Sequence, residues 1–163
     1  MIINVDTREK RNEHILRYFD RHGIDYRIEK LEIGDYMLDG GAISVDTKRS
    51  VDELASNMLN RNDHARFLRE AKRAADSGVK LIVLLETSKY KAIPDLREWR
   101  SKYSGISGRS LMDAIYKTHI SYGVEFMFAP KVSTGRRILE ILSMEEKNDY
   151  QQEKVRNGHQ RGG

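Results

Sequence analysis

An α/β fold, a mixed sheet flanked by helices on both faces, follows from three features of this 163-residue chain. Short apolar runs alternate with amphipathic stretches of helical period, the order of a sheet covered by helices. The run VKLIVLLE (residues 79–86) is apolar without alternation, as a central strand between parallel neighbours must be. An Asp39-Gly40-Gly41 turn between two short apolar segments marks a hairpin near the start, so the sheet also holds antiparallel pairs.

Residues 2–5 (IINV) read as the first strand. Residues 9–23 read as a helix with Ile15, Leu16 and Phe19 on one side and Gly23 as its stop. DYRIEKLE (25–32) is a strand, and DYML (35–38) and AISVDTK (42–48) are the hairpin arms. Ser50-Val51-Asp52-Glu53 has the capping-box pattern, so a helix starts directly after Lys48. The helical region runs to about Asp76, with a break near Asn60-Arg61-Asn62, and Phe67, Leu68 and Ala71 facing the core. Residues 88–109 form a basic excursion with one short helix near 95–102. Ser110 is expected to cap the next helix, residues 124–129 (VEFMFA) are a strand, and 132–147 are the last helix. Ile138, Leu139, Ile141 and Leu142 on that helix suit burial within the chain and suit a homodimer equally. One domain is expected over 1–147, and the polar, Gly/Gln-rich residues 148–163 are expected to be disordered.

Composition narrows the function. Charged residues make up 33% of the chain, and the longest apolar run is far too short to cross a bilayer. There are no cysteines, which excludes disulfides and thiolate metal sites and fits a reducing compartment. Met1 leads straight into a strand, so no signal peptide is expected. The net charge of +4 favours a polyanionic partner.

The candidate site lies in the hairpin. Strand alternation puts Ala42, Ser44, Asp46 and Lys48 on one side, with Ile43, Val45 and Thr47 on the other. Pairing 35–38 with 43–46 brings Asp35 beside Asp46. Two carboxylates suit a hard divalent cation such as Mg2+, which keeps several waters and accepts a phosphate oxygen. A neighbouring ammonium suits the water or the charge that develops on phosphorus. The same spacing also occurs on an exposed strand edge carrying a plain ion pair.

Four motifs stand in order around this hairpin: VDTRE (5–9), Gly34-Asp35-Tyr36, the run from Asp46 through Lys48 to Asp52, and DELASNMLNR (52–61). Together they resemble the nuclease domain of the XPF family, a branch of the PD-(D/E)XK nuclease superfamily, over about residues 3–145. The resemblance implies a restriction-endonuclease-like fold and Mg2+- or Mn2+-dependent DNA endonuclease activity. It implies branched, flap, junction or single-strand-containing DNA as substrate, in recombination, repair or replication. It casts Asp35, Asp46 and Lys48 as the catalytic set, with Asp6 and Arg8 beside them. Asp35, Asp46 and the Thr47 carbonyl would be the metal ligands. Glu9 is cast as a further acid near the site, and Asp52 as either support or function. Arg61 would touch phosphate, with His64 and Arg66 lining the same cleft. In the excursion, Lys89, Lys91, Arg97, Arg100, Lys102 and Arg109 interleave with Tyr90, Trp99 and Tyr103, a mix that suits phosphate contacts and base stacking.

Asp46 and Thr47 stand where the family usually has Glu and Arg, which leaves the arginine's role unfilled or passed to Arg49. The chain has no room for a C-terminal tandem helix-hairpin-helix module and no helicase domain, so a minimal nuclease domain is expected. It would be cytoplasmic in a prokaryotic or viral setting and nuclear in a eukaryote. Three alternatives stay open: an inactive DNA-binding module on the same fold, a less specific restriction-type nuclease, and an unrelated α/β domain.

Overall fold

The computed structural model describes residues 1–160. Among them, β1 (Ile2–Asp6), β2 (Asp25–Glu29), β3 (Tyr36–Leu38), β4 (Ile43–Lys48), β5 (Lys80–Glu86) and β6 (Glu125–Ala129) form one sheet in the order β2-β1-β3-β4-β5-β6. The pairs β1–β3 and β3–β4 are antiparallel; β1–β2, β4–β5 and β5–β6 are parallel. The mixed sheet and its covering helices are those expected.

The central apolar run explains the layering. Leu81, Ile82, Val83, Leu84 and Leu85 are each at most 2% exposed. Each contributes about 1.5–3 kcal/mol by leaving water. Leu81, Val83 and Leu85 pack under α2 (Val51–Leu59), α3 (Arg61–Asp76) and α4 (Gly108–Tyr122). Ile82 and Leu84 face α1 (Glu13–Arg21) and α5 (Thr134–Gln160). Ile138, Ile141 and Leu142 of α5 are fully buried there, so the chain itself covers that apolar stripe.

Several boundaries differ from expectation. The first helix starts at Glu13, not near residue 9. Glu9 N–H bonds the Asp6 carbonyl at 3.1 Å in a turn, and Arg11 sits at φ 56°, which a helix cannot continue through. Strand β2 lies at the sheet edge and ends at Glu29, leaving Ile28 55% exposed. In the basic excursion the helical turn is of 3-10 type and comes earlier, at Ile93–Glu98. Pro94 occupies its first turn, and the Asp95 carboxylate accepts from Lys91 N at 2.9 Å and Ala92 N at 3.1 Å. Helix α4 is capped by Ser107, whose Oγ accepts from Ser110 N at 3.2 Å; Ser110 lies inside the helix.

Helix α5 runs on to Gln160, through a polar stretch with no proline. Residues 161–163 of the expected tail lie outside the described residues.

Candidate active site

The hairpin register builds the site. Tyr36 pairs with Val45, and one step on Asp35 N–H bonds the Val45 carbonyl at 2.8 Å, which sets Asp35 across from Asp46. The end of β1 meets the same point, since Asp6 N–H bonds the Asp35 carbonyl at 2.8 Å. Asp35 Oδ2 accepts from Thr47 N at 2.7 Å and Thr47 Oγ1 at 3.1 Å. Lys48 Nζ lies 3.0 Å from Asp46 Oδ2 and 3.5 Å from Asn57 Oδ1 on α2. The ammonium stands off the hydrogen-bond axis of Asp46 Oδ2, so that buried oxygen has an ionic neighbour and no directed hydrogen bond. Asp46 and Lys48 are 6% and 9% exposed.

The turn ahead of Asp35 depends on Gly34. Its φ is +67°, and a Cβ there would fall 2.1 Å from Ser44 Oγ. Gly34→Ala is expected to cost about 2 kcal/mol or more, combining a left-handed backbone with overpacking, and to displace Asp35. Chemical denaturation checks this; an unchanged midpoint would show that the turn relaxes freely.

Burial raises the Asp35 carboxyl well above the usual range, and the charges of Asp46 and Glu9 push the same way, against the Thr47 N–H. Glu9 is also raised, by burial first, while Asp35 and Arg49 oppose the shift. Burial alone would lower Lys48; Asp46, Asp35 and Glu53 outweigh it and the net shift is upward. The site is thus a crowded group of acids around one ammonium, short of positive charge. Its donors are hard oxygens, and Asp46 Oδ2 lacks a directed partner, so the residues fit a divalent cation. Among the described residues no group of three His, Cys, Asp or Glu side chains forms a ready cage. Mg2+ does not need one, since it is usually held by one or two carboxylates and keeps its waters.

The ERCC4 domain model matches residues 5–139. The chain belongs to the ERCC4 domain family. Its fold is similar to that of XPF from Aeropyrum pernix, with TM-score 0.69 and 19% identity, covering 93% of this chain and 69% of that one. A structure of XPF from Aeropyrum pernix in complex with DNA gives TM-score 0.66 and 21% identity, covering 90% and 66%. The chain therefore spans about two thirds of those chains. The comparison with curated proteins found no match. Membership of the XPF family, expected from the motifs, is borne out.

The remaining residues of this ERCC4 domain fall into separate places. Both oxygens of Asp6 are engaged, by Arg8 Nε at 2.9 Å, Arg8 NH2 at 3.4 Å and Leu31 N at 2.9 Å. Arg8 also donates to the Leu31 carbonyl at 2.7 Å, so this pair braces the chain after β1. Glu9 faces Arg49 at 3.0 Å. Asp52 accepts from Ser101 Oγ at 3.0 Å. His64 Nδ1 meets the Asn57 carbonyl at 3.0 Å and lines a cavity of about 530 Å3 between α3 and α4. Arg61 and Arg66 are exposed on α3, and Arg66 pairs with Asp63 at 2.7 Å.

The basic excursion divides. Lys89, Arg100 and Lys102 join Arg49 along one groove of about 540 Å3, while Lys91 lines a different cavity with Tyr116 and Phe128. Arg97 and Arg109 are exposed and line neither. Trp99 and Tyr90 are 7% and 8% exposed and belong to the core cluster that also lines the groove of Arg49 and Lys89; Tyr103 remains outside, at 86%.

Sequence reasoning missed Glu70. Its Oε1 accepts from Gly34 N at 2.6 Å, holding the turn before Asp35, and burial and the Asp46 charge raise its carboxyl. The available signal was its place on the stripe of Phe67, Ala71 and Ala74, the buried face of α3.

Proposed function

We propose that this chain is a divalent-metal-dependent DNA endonuclease, structure-specific for branched, flap or junction DNA, acting in recombination, repair or replication. The observation that carries the chemistry is the convergence of Asp35, Asp46 and Lys48 at one end of β4. Asp35, Asp46 and the Thr47 carbonyl would hold Mg2+ or Mn2+, whose chemistry there is to polarise a phosphate oxygen and acidify a water. Lys48 places its ammonium beside Asp46, where it can donate to a non-bridging phosphate oxygen as charge builds. Asn57 limits where that ammonium can go. Glu70 and Gly34 hold Asp35 in register. Arg49 lies on Glu9 at the edge of the acids and lines the basic groove, so it is placed to meet a phosphate in the role Thr47 cannot fill.

Support for a DNA substrate comes from the basic groove and from the solved XPF relative in complex with DNA. A homodimer belongs to the same reading, and sedimentation of the purified domain checks it.

The test is cleavage of a panel, linear duplex, single strand, flap and four-way junction, with Mg2+ and with Mn2+. Wild type is expected to prefer branched forms, and Asp46→Ala to lose about 10³-fold or more, as loss of charge stabilisation at a reacting phosphate predicts. Equal rates for the two proteins would remove the mechanism. Tight binding with no cleavage by wild type would make the chain a DNA-binding module.

A further inference from the structure

The loop between the 3-10 turn and α4 is an ordered arm. Arg100 and Ser107 close it with an antiparallel bridge, and Ser101 N–H bonds the Ile106 carbonyl at 3.0 Å. The Ser101 hydroxyl donates to Asp52 Oδ1 at 3.0 Å and accepts from Tyr103 N and Ser104 N, both at 3.2 Å. One donor and two acceptor positions are all filled, so the tip is held from its base. That base is anchored in the first turn of α2, four residues beyond Lys48. What the arm carries outward is a single bare aromatic ring, Tyr103, 86% exposed, with Lys102 beside it.

Arg100 and Lys102 of the arm line one groove with Arg49 and Lys89, and Tyr103, next in sequence to Lys102, lines the neighbouring hollow with Asp52, Ser101 and Ile106. Three acids also line the groove, but two are engaged inward: Asp52 by Ser101, and Glu86 by His14 at 2.9 Å and Thr134 at 3.1 Å. Arg49 is itself paired with Glu9 at 3.0 Å, which leaves Glu98 against Lys89, Arg100 and Lys102. A basic track beside an exposed ring is the arrangement that binds single-stranded nucleic acid without sequence preference.

We propose that Tyr103 stacks on an unpaired nucleobase of a DNA strand whose phosphates lie along this groove. The inference rests on the nuclease reading and adds to it the part of the substrate that must be unpaired. Stacking needs the π-face and not the hydroxyl, so phenylalanine serves and alanine does not.

The full chain is tested without divalent metal, so that nothing is cut, on single-stranded and blunt duplex DNA carrying 2-aminopurine. Tyr103→Ala is expected to weaken single-strand binding about ten-fold or more and to abolish quenching of the probe, with duplex binding and the salt slope unchanged. Tyr103→Phe is expected to behave as wild type. Lys102→Ala is expected to reduce the salt slope by about 1 on both DNAs. Equal losses on duplex and single strand with Tyr103→Ala, retained quenching, or a lowered melting temperature would overturn the stacking role alone. No salt-dependent binding by wild type would overturn the nuclease reading and this inference with it.

Discussion

Lys48→Ala is expected to destabilise the metal-free protein by about 3 kcal/mol and to lower cleavage by about 10³-fold. Lys48 is the ammonium at 3.0 Å from Asp46, and Asp35 also acts on its charge. Removing one partner of a buried ion pair costs about 3–5 kcal/mol, because the other charge stays buried. The low end applies here, since the acids can answer by taking up a proton. In a domain of this size that is a fall of roughly 6–12 °C in melting temperature. Mg2+ should narrow the gap by supplying the missing positive charge, but cleavage should stay about 10³-fold down, because the donor to the phosphate is gone. Melting of both proteins with and without Mg2+, together with their cleavage rates, checks this. Coincident melts without metal would show that the ion pair carries no stability.

Asp35→Asn is expected to act the other way on stability and the same way on activity. Asparagine Oδ1 can still accept from Thr47 N and Oγ1, while one negative charge leaves a group that is short of cations. The expected gain is about 1–2 kcal/mol at neutral pH, the scale of relief found when a strained functional site is neutralised. The sign of the pH dependence follows from linkage. The folded Asp35 carboxyl is raised, so over a window above the unfolded value of about 3.9 the folded state keeps a proton the unfolded chain has lost. Wild-type stability therefore falls as pH rises from that value through the raised one, then levels off. Asparagine lacks that limb, so the gap between the two proteins opens over the same window. Glu70, raised in the same direction, contributes alike to both, whereas Glu9 loses in the variant the Asp35 carboxylate that opposes its own upward shift. Metal-free melts across pH measure it, and a gap independent of pH would mean that Asp35 ionises normally. Added Mg2+ should stabilise wild type more than the variant, and the variant should not cleave.

Much of the site was legible because strand geometry is local. Period-two alternation placed Asp46 with Lys48, and the Asp39-Gly40-Gly41 turn brought Asp35 opposite Asp46; the observed pairing of Tyr36 with Val45 agrees. Ser50 was readable as a cap because its bond to Glu53 N spans three residues. Glu70 was not readable as a partner of Gly34, since a contact 36 residues apart depends on how α3 lies across the sheet. Trp99 and Tyr90 looked like stacking residues because composition cannot tell a ring that faces solvent from one that closes a core.

The chain's own pattern was enough to determine a mixed sheet, its buried central strand and a pair of acids beside a lysine, because these rest on periodicity and short turns. Only the tertiary structure decided which groups crowd those acids, which cations share a groove and which aromatic ring stays outside. Those outcomes are set by the packing of helices from distant parts of the chain, which buries and so raises the carboxyls and leaves Tyr103 outside.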